Sequence, residues 1–158
     1  MSITIRPARE SDLPALAQLW GQVDELHARI RSDYFRASPE RSLSGRNLKK
    51  TLDSPHQIML VAENKGQVIG VVEVKIYDTP DHPLMVPRRR ARVEELVVDL
   101  HHRRCGIGRA LMDEAVGWAR RQSASHVVLT VWSGNDEAEA FYKRLGYQPV
   151  CQVLGLEF

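Results

Sequence analysis

The stretch VVDLHHRRCGIGRALM, Val97 to Met112, decides how this chain folds. A β-branched run ends in a polar turn, two glycines stand one residue apart, and a helical stripe begins at once with Leu111, Ala115, Trp118 and Ala119 on one face. Gly106 and Gly108 therefore sit where a strand hands over to a helix. The first N–H groups of a helix lack intrahelical partners and carry partial positive charge. Glycine at that place lets a ligand approach the backbone with no Cβ in the way. Arg103, Arg104 and Arg109 add positive charge around the same turn, so it reads as a cradle for a phosphate or pyrophosphate. The competing reading is a tight strand-to-helix turn and nothing more. A Walker A loop is ruled out because no Lys-Ser or Lys-Thr closes the motif. A Rossmann fingerprint is ruled out because the third glycine and the acidic ribose partner are missing.

The flanks extend the pattern. RRRARVEELVV, Arg88 to Val98, reads as the strand before the turn, and HVVLTVW, His126 to Trp132, as a strand after the helix. The second run is almost continuously apolar, which predicts burial on both faces. The helix between them makes a β-α-β crossover, so the two strands should lie parallel. Upstream, QIMLVAE and QVIGVVEVKIY flank Asn64-Lys65-Gly66 and predict a hairpin. ITIRPA predicts a first strand. ESDLPALAQLWGQVDELHARI predicts a helix with Ser11 as N-cap and Pro14 in the first turn. A weaker helix follows Pro39 through Leu43, Leu48 and Leu52. NDEAEAFYKRLG predicts a short helix with Gly146 at C′, and YQPVCQVLGLEF a closing strand. The order β-α-α-β-β-β-α-β-α-β describes an α/β domain with a mixed sheet, and 158 residues suit one domain spanning residues 1–158.

Composition narrows the function. Hydrophobic residues make up 43% and charged residues 27%, as in ordinary globular chains, and a net charge of +2 gives no reason to expect nucleic acid. Cys105 and Cys151 are too few for a disulfide framework and suit a reducing cytoplasm. No apolar run approaches the roughly 20 residues of a membrane span. The histidines lack zinc-binding spacing, and no metal is expected.

Asn135, Ala138, Phe141 and Tyr142 stand at fixed offsets before Leu145-Gly146-Tyr147. With Arg103-Arg104-Cys105-Gly106-Ile107-Gly108 about thirty residues upstream, this resembles the GNAT superfamily of N-acetyltransferases. That family carries Q/R-x-x-G-x-G/A for pyrophosphate and a later Asn-x-x-Ala-x-x-Phe/Leu-Tyr before Leu-Gly-Phe/Tyr. The similarity is strong over Arg92 to Tyr147, and the family opening resembles ITIRPARESDLPALAQLW. The chain departs from the pattern at Leu100, where Pro is frequent, and at His102, where an aromatic is frequent.

The resemblance implies a GNAT-like, mostly antiparallel twisted sheet with one splayed parallel pair, flanked by helices. Acetyl-CoA would wedge between the strands ending near Val98 and Trp132. The backbone of Leu96, Val97 and Val98 would bond its pantetheine arm and supply an oxyanion donor. The loop Arg103, Arg104, Cys105, Gly106, Ile107, Gly108 and Arg109 would hold its pyrophosphate. Asn135 matches a cofactor-contacting asparagine and is equally suited to cap a helix. Tyr142 matches the tyrosine near the sulfur that serves as general acid, with a half-buried core tyrosine as the alternative. Glu94, which shares a face with Leu96 in a regular strand, is the preferred base because the family often has an acidic residue two positions before that apolar residue. Glu95 or a water are alternatives, and a bulge would change the parity. Cys105 as a nucleophile is disfavoured because the family usually transfers the acetyl group directly.

The implied activity is transfer of the acetyl group of acetyl-CoA to an amine acceptor. A non-catalytic acyl-CoA-binding module is the alternative. The acceptor pocket would form from WGQVDELHARIRSDYFRASPE and YDTPDHPLMVP, and the acceptor itself is not readable. The resemblance also implies a homodimer, since members of the family often pair, and CQVLGLEF offers an apolar edge.

Overall fold

A computed structural model describes residues 2–36 and 48–158. Five strands, β1 (Ile3–Pro7), β2 (Gln57–Asn64), β3 (Gln67–Asp78), β4 (Arg89–Val98) and β5 (His126–Leu129), form one sheet in sequential order. The first four pair antiparallel, and β4 pairs parallel with β5. The β2–β3 hairpin turns on Lys65 (φ 49°) and Gly66 (φ 83°). Both values are positive, the geometry that matches the twist of the flanking strands.

Helix α1 (Leu13–Ile30) and the short α2 (Leu48–Leu52) cover one face. Leu16, Leu19, Trp20 and Val23 of α1 pack there on Met59, Val61, Val71 and Val97. Helix α3 (Ile107–Arg121) covers the other face, with Leu111, Met112, Ala115 and Trp118 against Leu60, Val72, Val74 and Val93. Helix α4 (Asp136–Arg144) adds Phe141 and Tyr142 to the edge of that second core. The α3 stripe read from the sequence is thus the buried stripe.

Three expectations change, and one is described only in part. The N-cap of α1 is Asp12, and Ser11 lies in a single 3-10 turn, Glu10–Asp12. The carboxylate of Asp12 is engaged by Arg6 at 2.8 and 2.9 Å and by the Arg9 N–H at 2.8 Å, which pins the chain as it leaves β1. β5 is shorter than HVVLTVW and all four residues are only half buried, because it is the edge of the sheet. The closing segment 148–158 is no strand: among the described residues it pairs with none of the five strands. Of the second helix, Leu48 to Leu52 is observed, while Pro39 and Leu43 lie outside the described residues.

Candidate active site

Pairing between β4 and β5 runs from Arg90↔His126 to Val93↔Leu129 and then stops. β4 continues to Val98, paired only on its β3 side as far as Val98↔Gly70, while the chain after Leu129 leaves the sheet. The divergence opens a cavity of about 440 Å³ between the strands. Backbone groups of β4 from Glu94 onward face it with no neighbouring strand to satisfy them. One is engaged locally: Arg103 Nε donates to the Val98 carbonyl at 3.2 Å.

The divergence coincides with a bulge. Glu73 pairs with Glu95 and Val74 with Val93, so Glu94 is the extra residue in β4. Glu94 then bonds on the same side as Tyr77, whose hydroxyl donates to its Oε1 at 2.6 Å, with Arg92 Nε 3.7 Å away. Glu95 lies opposite Glu73, which accepts from Thr51 of α2 at 3.2 Å. Leu96 instead packs into the α3-side core. The expected shared face of Glu94 and Leu96 is therefore overturned: the bulge sends both glutamates toward the α1 side. Burial and the Glu94 carboxylate push the Tyr77 phenol up to about 12, so Tyr77 is a donor to Glu94 throughout the working range.

The loop between β4 and α3 is built on Asp99. Its carboxylate accepts from the His101 N–H at 3.0 Å, His102 Nδ1 at 2.8 Å and Gln22 Nε2 at 2.8 Å, while the Leu100 N–H donates to Gln22 Oε1 at 3.1 Å. Burial would raise the Asp99 carboxyl, but the hydrogen bonds from Gln22 and His102 prevail and hold it below the usual carboxylate range. Helix α1 thus clamps the start of the loop. Neither Gln22 nor Asp99 carries a sequence signal, because the two meet only when α1 crosses β4.

Within the loop Arg104 (φ 62°) and Gly106 (φ 81°) are left-handed. A Cβ on Gly106 would meet nothing within 4 Å, so backbone conformation and not crowding calls for glycine there. Gly108 differs: its Cβ would lie 3.3 Å from Phe141 Cζ, so this glycine lets α3 approach α4. The N–H groups of Ile107, Gly108 and Arg109 begin the helix and have no intrahelical acceptor. Glu137, in the first turn of α4, holds Arg104 Nη2 at 3.0 Å and lies 3.6 Å from Arg103 Nη1. From sequence it reads only as a carboxylate suited to a helix N-terminus.

Helix α4 is capped at both ends. Asn135 Oδ1 accepts from the Ala138 N–H at 3.2 Å. At the other end the Gly146 N–H bonds the Lys143 carbonyl at 3.0 Å, and the Tyr147 N–H bonds the Tyr142 carbonyl at 3.1 Å. This is a Schellman ending, and its usual apolar contact is the Tyr142–Tyr147 ring pair, 5.7 Å between centroids. Phe141 flanks Tyr142 edge-on at 5.1 Å. Burial drives the Tyr142 phenol above its ordinary value, so its proton stays on at neutral pH.

Of the residues singled out in the sequence, all but Cys105 line the cavity. Cys105 is exposed and turns its thiol to the Arg103 carbonyl at 3.4 Å, away from the reacting region. Among the described residues no group of three His, Cys, Asp or Glu is placed to hold a metal ion, and no helix is long and apolar enough to cross a membrane.

The sequence profile of the Acetyltransferase (GNAT) family matches residues 20–147, which include the diverging strands, the glycine loop and Tyr142. The chain belongs to the GNAT acetyltransferase family. This GNAT chain is 27% identical over 146 residues to the uncharacterized N-acetyltransferase YhfO of Bacillus subtilis, covering 92% of this chain and 90% of that one. It is 35% identical over 97 residues to N-acetyltransferase family 8 member 3 of Rattus norvegicus, covering 61% of this chain and 41% of that protein. The match thus spans about two fifths of that relative's length. Among solved structures, a mutant BH1408 protein from Bacillus halodurans has a TM-score of 0.90 at 26% identity, covering 98% of this chain and 99% of that one. AAC(6')-Iy, solved with the bisubstrate analogue CoA-S-monomethyl-acetylneamine, shares the fold, with a TM-score of 0.72 at 15% identity over 100% of this chain and 99% of that one.

Proposed function

We propose that the protein transfers the acetyl group of acetyl-CoA to an amine. The observation that carries this reading is the cleft itself: an unpaired β4 edge, a left-handed glycine loop beside Arg103 and Arg104, and a half-buried Tyr142 all face one cavity. These features fit a CoA thioester. The edge of β4 at Leu96 to Val98 suits the amide-bearing arm, and the start of α3 with Arg104 and Arg109 suits the pyrophosphate. Asn135 spends its Oδ1 on the helix cap and keeps its amide N–H groups for the cofactor.

When bound, acetyl-CoA supplies an acetyl group activated as a thioester. The chain's own residues do the rest. Glu94, held by Tyr77, accepts a proton from the incoming ammonium directly or through water, and Glu95 on the same side shares that role. Tyr142 Oη, kept protonated by burial, donates to the departing sulfur. Backbone N–H groups of β4 near Leu96 to Val98 stabilise negative charge on the carbonyl oxygen.

Calorimetric titration with acetyl-CoA tests the binding half. Gly108→Asp places a carboxylate beside the loop and pushes on Phe141, and we expect it to abolish binding. Thiol release with a panel of amines tests the catalytic half. Acetyl-CoA binding without release for any amine would favour a binding module over an enzyme.

A further inference from the structure

We propose that the acceptor is a monoamine carried on a flat apolar body, and that Trp132 is the residue that selects it. This inference rests on the acetyl-transfer reading of the same cavity and names the substrate class for it.

The cavity has two chemically different ends. Toward α3 and α4 it is net cationic, with Arg103, Arg104, Arg109 and Arg144 in the lining against the one carboxylate of Glu137 there. Toward α1 the lining changes to Val23, Leu26 and His27, and Trp132 also lines the cavity. Glu94 and Glu95 stand between the two ends, turned to the α1 side by the bulge. A cationic amine is attracted by the glutamates and repelled by the arginines, so it enters from the α1 side. There its remaining atoms meet aliphatic and aromatic surface.

Trp132 is set for recognition by its neighbours. Phe35 packs edge-on against it at 4.9 Å between centroids, and Tyr34 packs tilted at 5.2 Å. Phe35 in turn stacks on His27 at 5.0 Å, which joins the two lining rings into one aromatic wall. Arg31 lies 4.4 Å from the centre of the Tyr34 ring and 5.8 Å from that of Trp132, with its charge matched by Asp33 at 2.6 Å. A rigid aromatic surface gives contact area to a bound ring without first having to be ordered.

Charge argues against polycationic acceptors. Among the described lining residues the carboxylates on the α1 side are Glu94 and Glu95, which stand together at the bulge, while Val23, Leu26, His27 and Trp132 add none. A second or third ammonium on a polyamine or amino sugar would therefore face apolar surface with no counter-charge, which costs binding energy. One ammonium beside the glutamates and one ring beside Trp132 match what the cavity offers.

The test is steady-state thiol release from acetyl-CoA with 2-phenylethylamine, ethylamine and spermidine. We expect kcat/KM for 2-phenylethylamine to exceed that of both others by about tenfold or more, as a filled apolar pocket gives. Trp132→Ala should lower the 2-phenylethylamine value by about tenfold, mainly through KM, and leave ethylamine within about threefold. Trp132→Phe keeps a ring and should retain the preference, and unchanged acetyl-CoA affinity in both variants shows that the fold survives. Spermidine or ethylamine as the better substrate, or an equal loss for both monoamines in Trp132→Ala, overturns the inference alone. Absence of release with every amine, with acetyl-CoA still binding, overturns the transfer reading and this inference with it.

Discussion

Tyr142 owes its position to the turn that ends its own helix. The Schellman bonds fix the backbone, and Tyr147 packs on the ring from two positions past the C-cap Leu145. Tyr142→Phe removes one hydroxyl and keeps that packing. Single-turnover acetyl transfer should then fall by about 10²- to 10⁴-fold, while acetyl-CoA affinity stays close to wild type. Wild-type rates in the Phe variant would reassign the tyrosine to packing. Because burial raises the phenol, wild type should show no alkaline fall in rate from Tyr142 below about pH 10. The phenylalanine profile should keep its shape and only drop in height. The glycines of the loop were legible as a pair, but their reasons differ. Gly106 needs its positive φ, and Gly106→Ala should cost about 1 kcal/mol in chemical denaturation, the usual penalty for a Cβ in left-handed backbone. Gly108 makes room for Phe141, a contact no local pattern announces.

β4 is the element on which the site depends. It is a paired strand up to Val93 and an open edge from Glu94 to Val98. Its apolar pattern was readable, but alternation alone assigned Glu94 to the wrong face. The bulge arises from the β3–β4 register, which neither strand encodes by itself. The junction of β1 with α1 shows the same division. Arg6 ties Asp12 to Glu63 of β2, with Nε 2.7 Å from the Glu63 carboxylate. The Arg6 guanidinium holds the Asp12 carboxyl below the usual range against the effect of burial. A carboxyl lowered by folding stabilises the protein above its unfolded pKa of about 3.9, and that contribution fades as pH falls through the folded value. Asp12→Asn should therefore cost about 2 kcal/mol at pH 7 by denaturant melts, and the difference from wild type should shrink below about pH 4. A gap independent of pH would show that packing, not charge, holds this corner.

Among the described residues one segment pairs with no strand of the sheet. Residues 148–158 carry Val150, Val153, Leu154, Leu156 and Phe158 in the open, with Val153 95% and Leu154 88% exposed. Val150, Leu154, Leu156 and Phe158 fall on even positions, the spacing of one strand face, and β5 ends the sheet with a free outer edge. We expect a second copy to cover this segment in a twofold dimer. Light scattering should give the mass of two 18.0 kDa chains, and a variant ending at Tyr147 should run as one. A wild-type monomer at high concentration would count decisively against the dimer.

The order of strands and helices, the β-α-β crossover, the glycine loop and the Asn135 to Tyr147 helix were all readable along the chain. Each depends on residues within a turn or two of one another, where period, capping and φ preference act locally. Other features were decided only when distant segments met: the bulge at Glu94, the clamp of Gln22 on Asp99, the hold of Glu137 on two arginines, and the wall formed by His27, Phe35 and Trp132. These join residues as far apart as Gln22 and Asp99, and only tertiary packing sets which side chains face each other across a sheet or between helices. The closing segment shows the converse. Its alternation marks a strand, yet a strand forms only where a neighbour takes its hydrogen bonds, and among the described residues this segment pairs with no strand of the sheet.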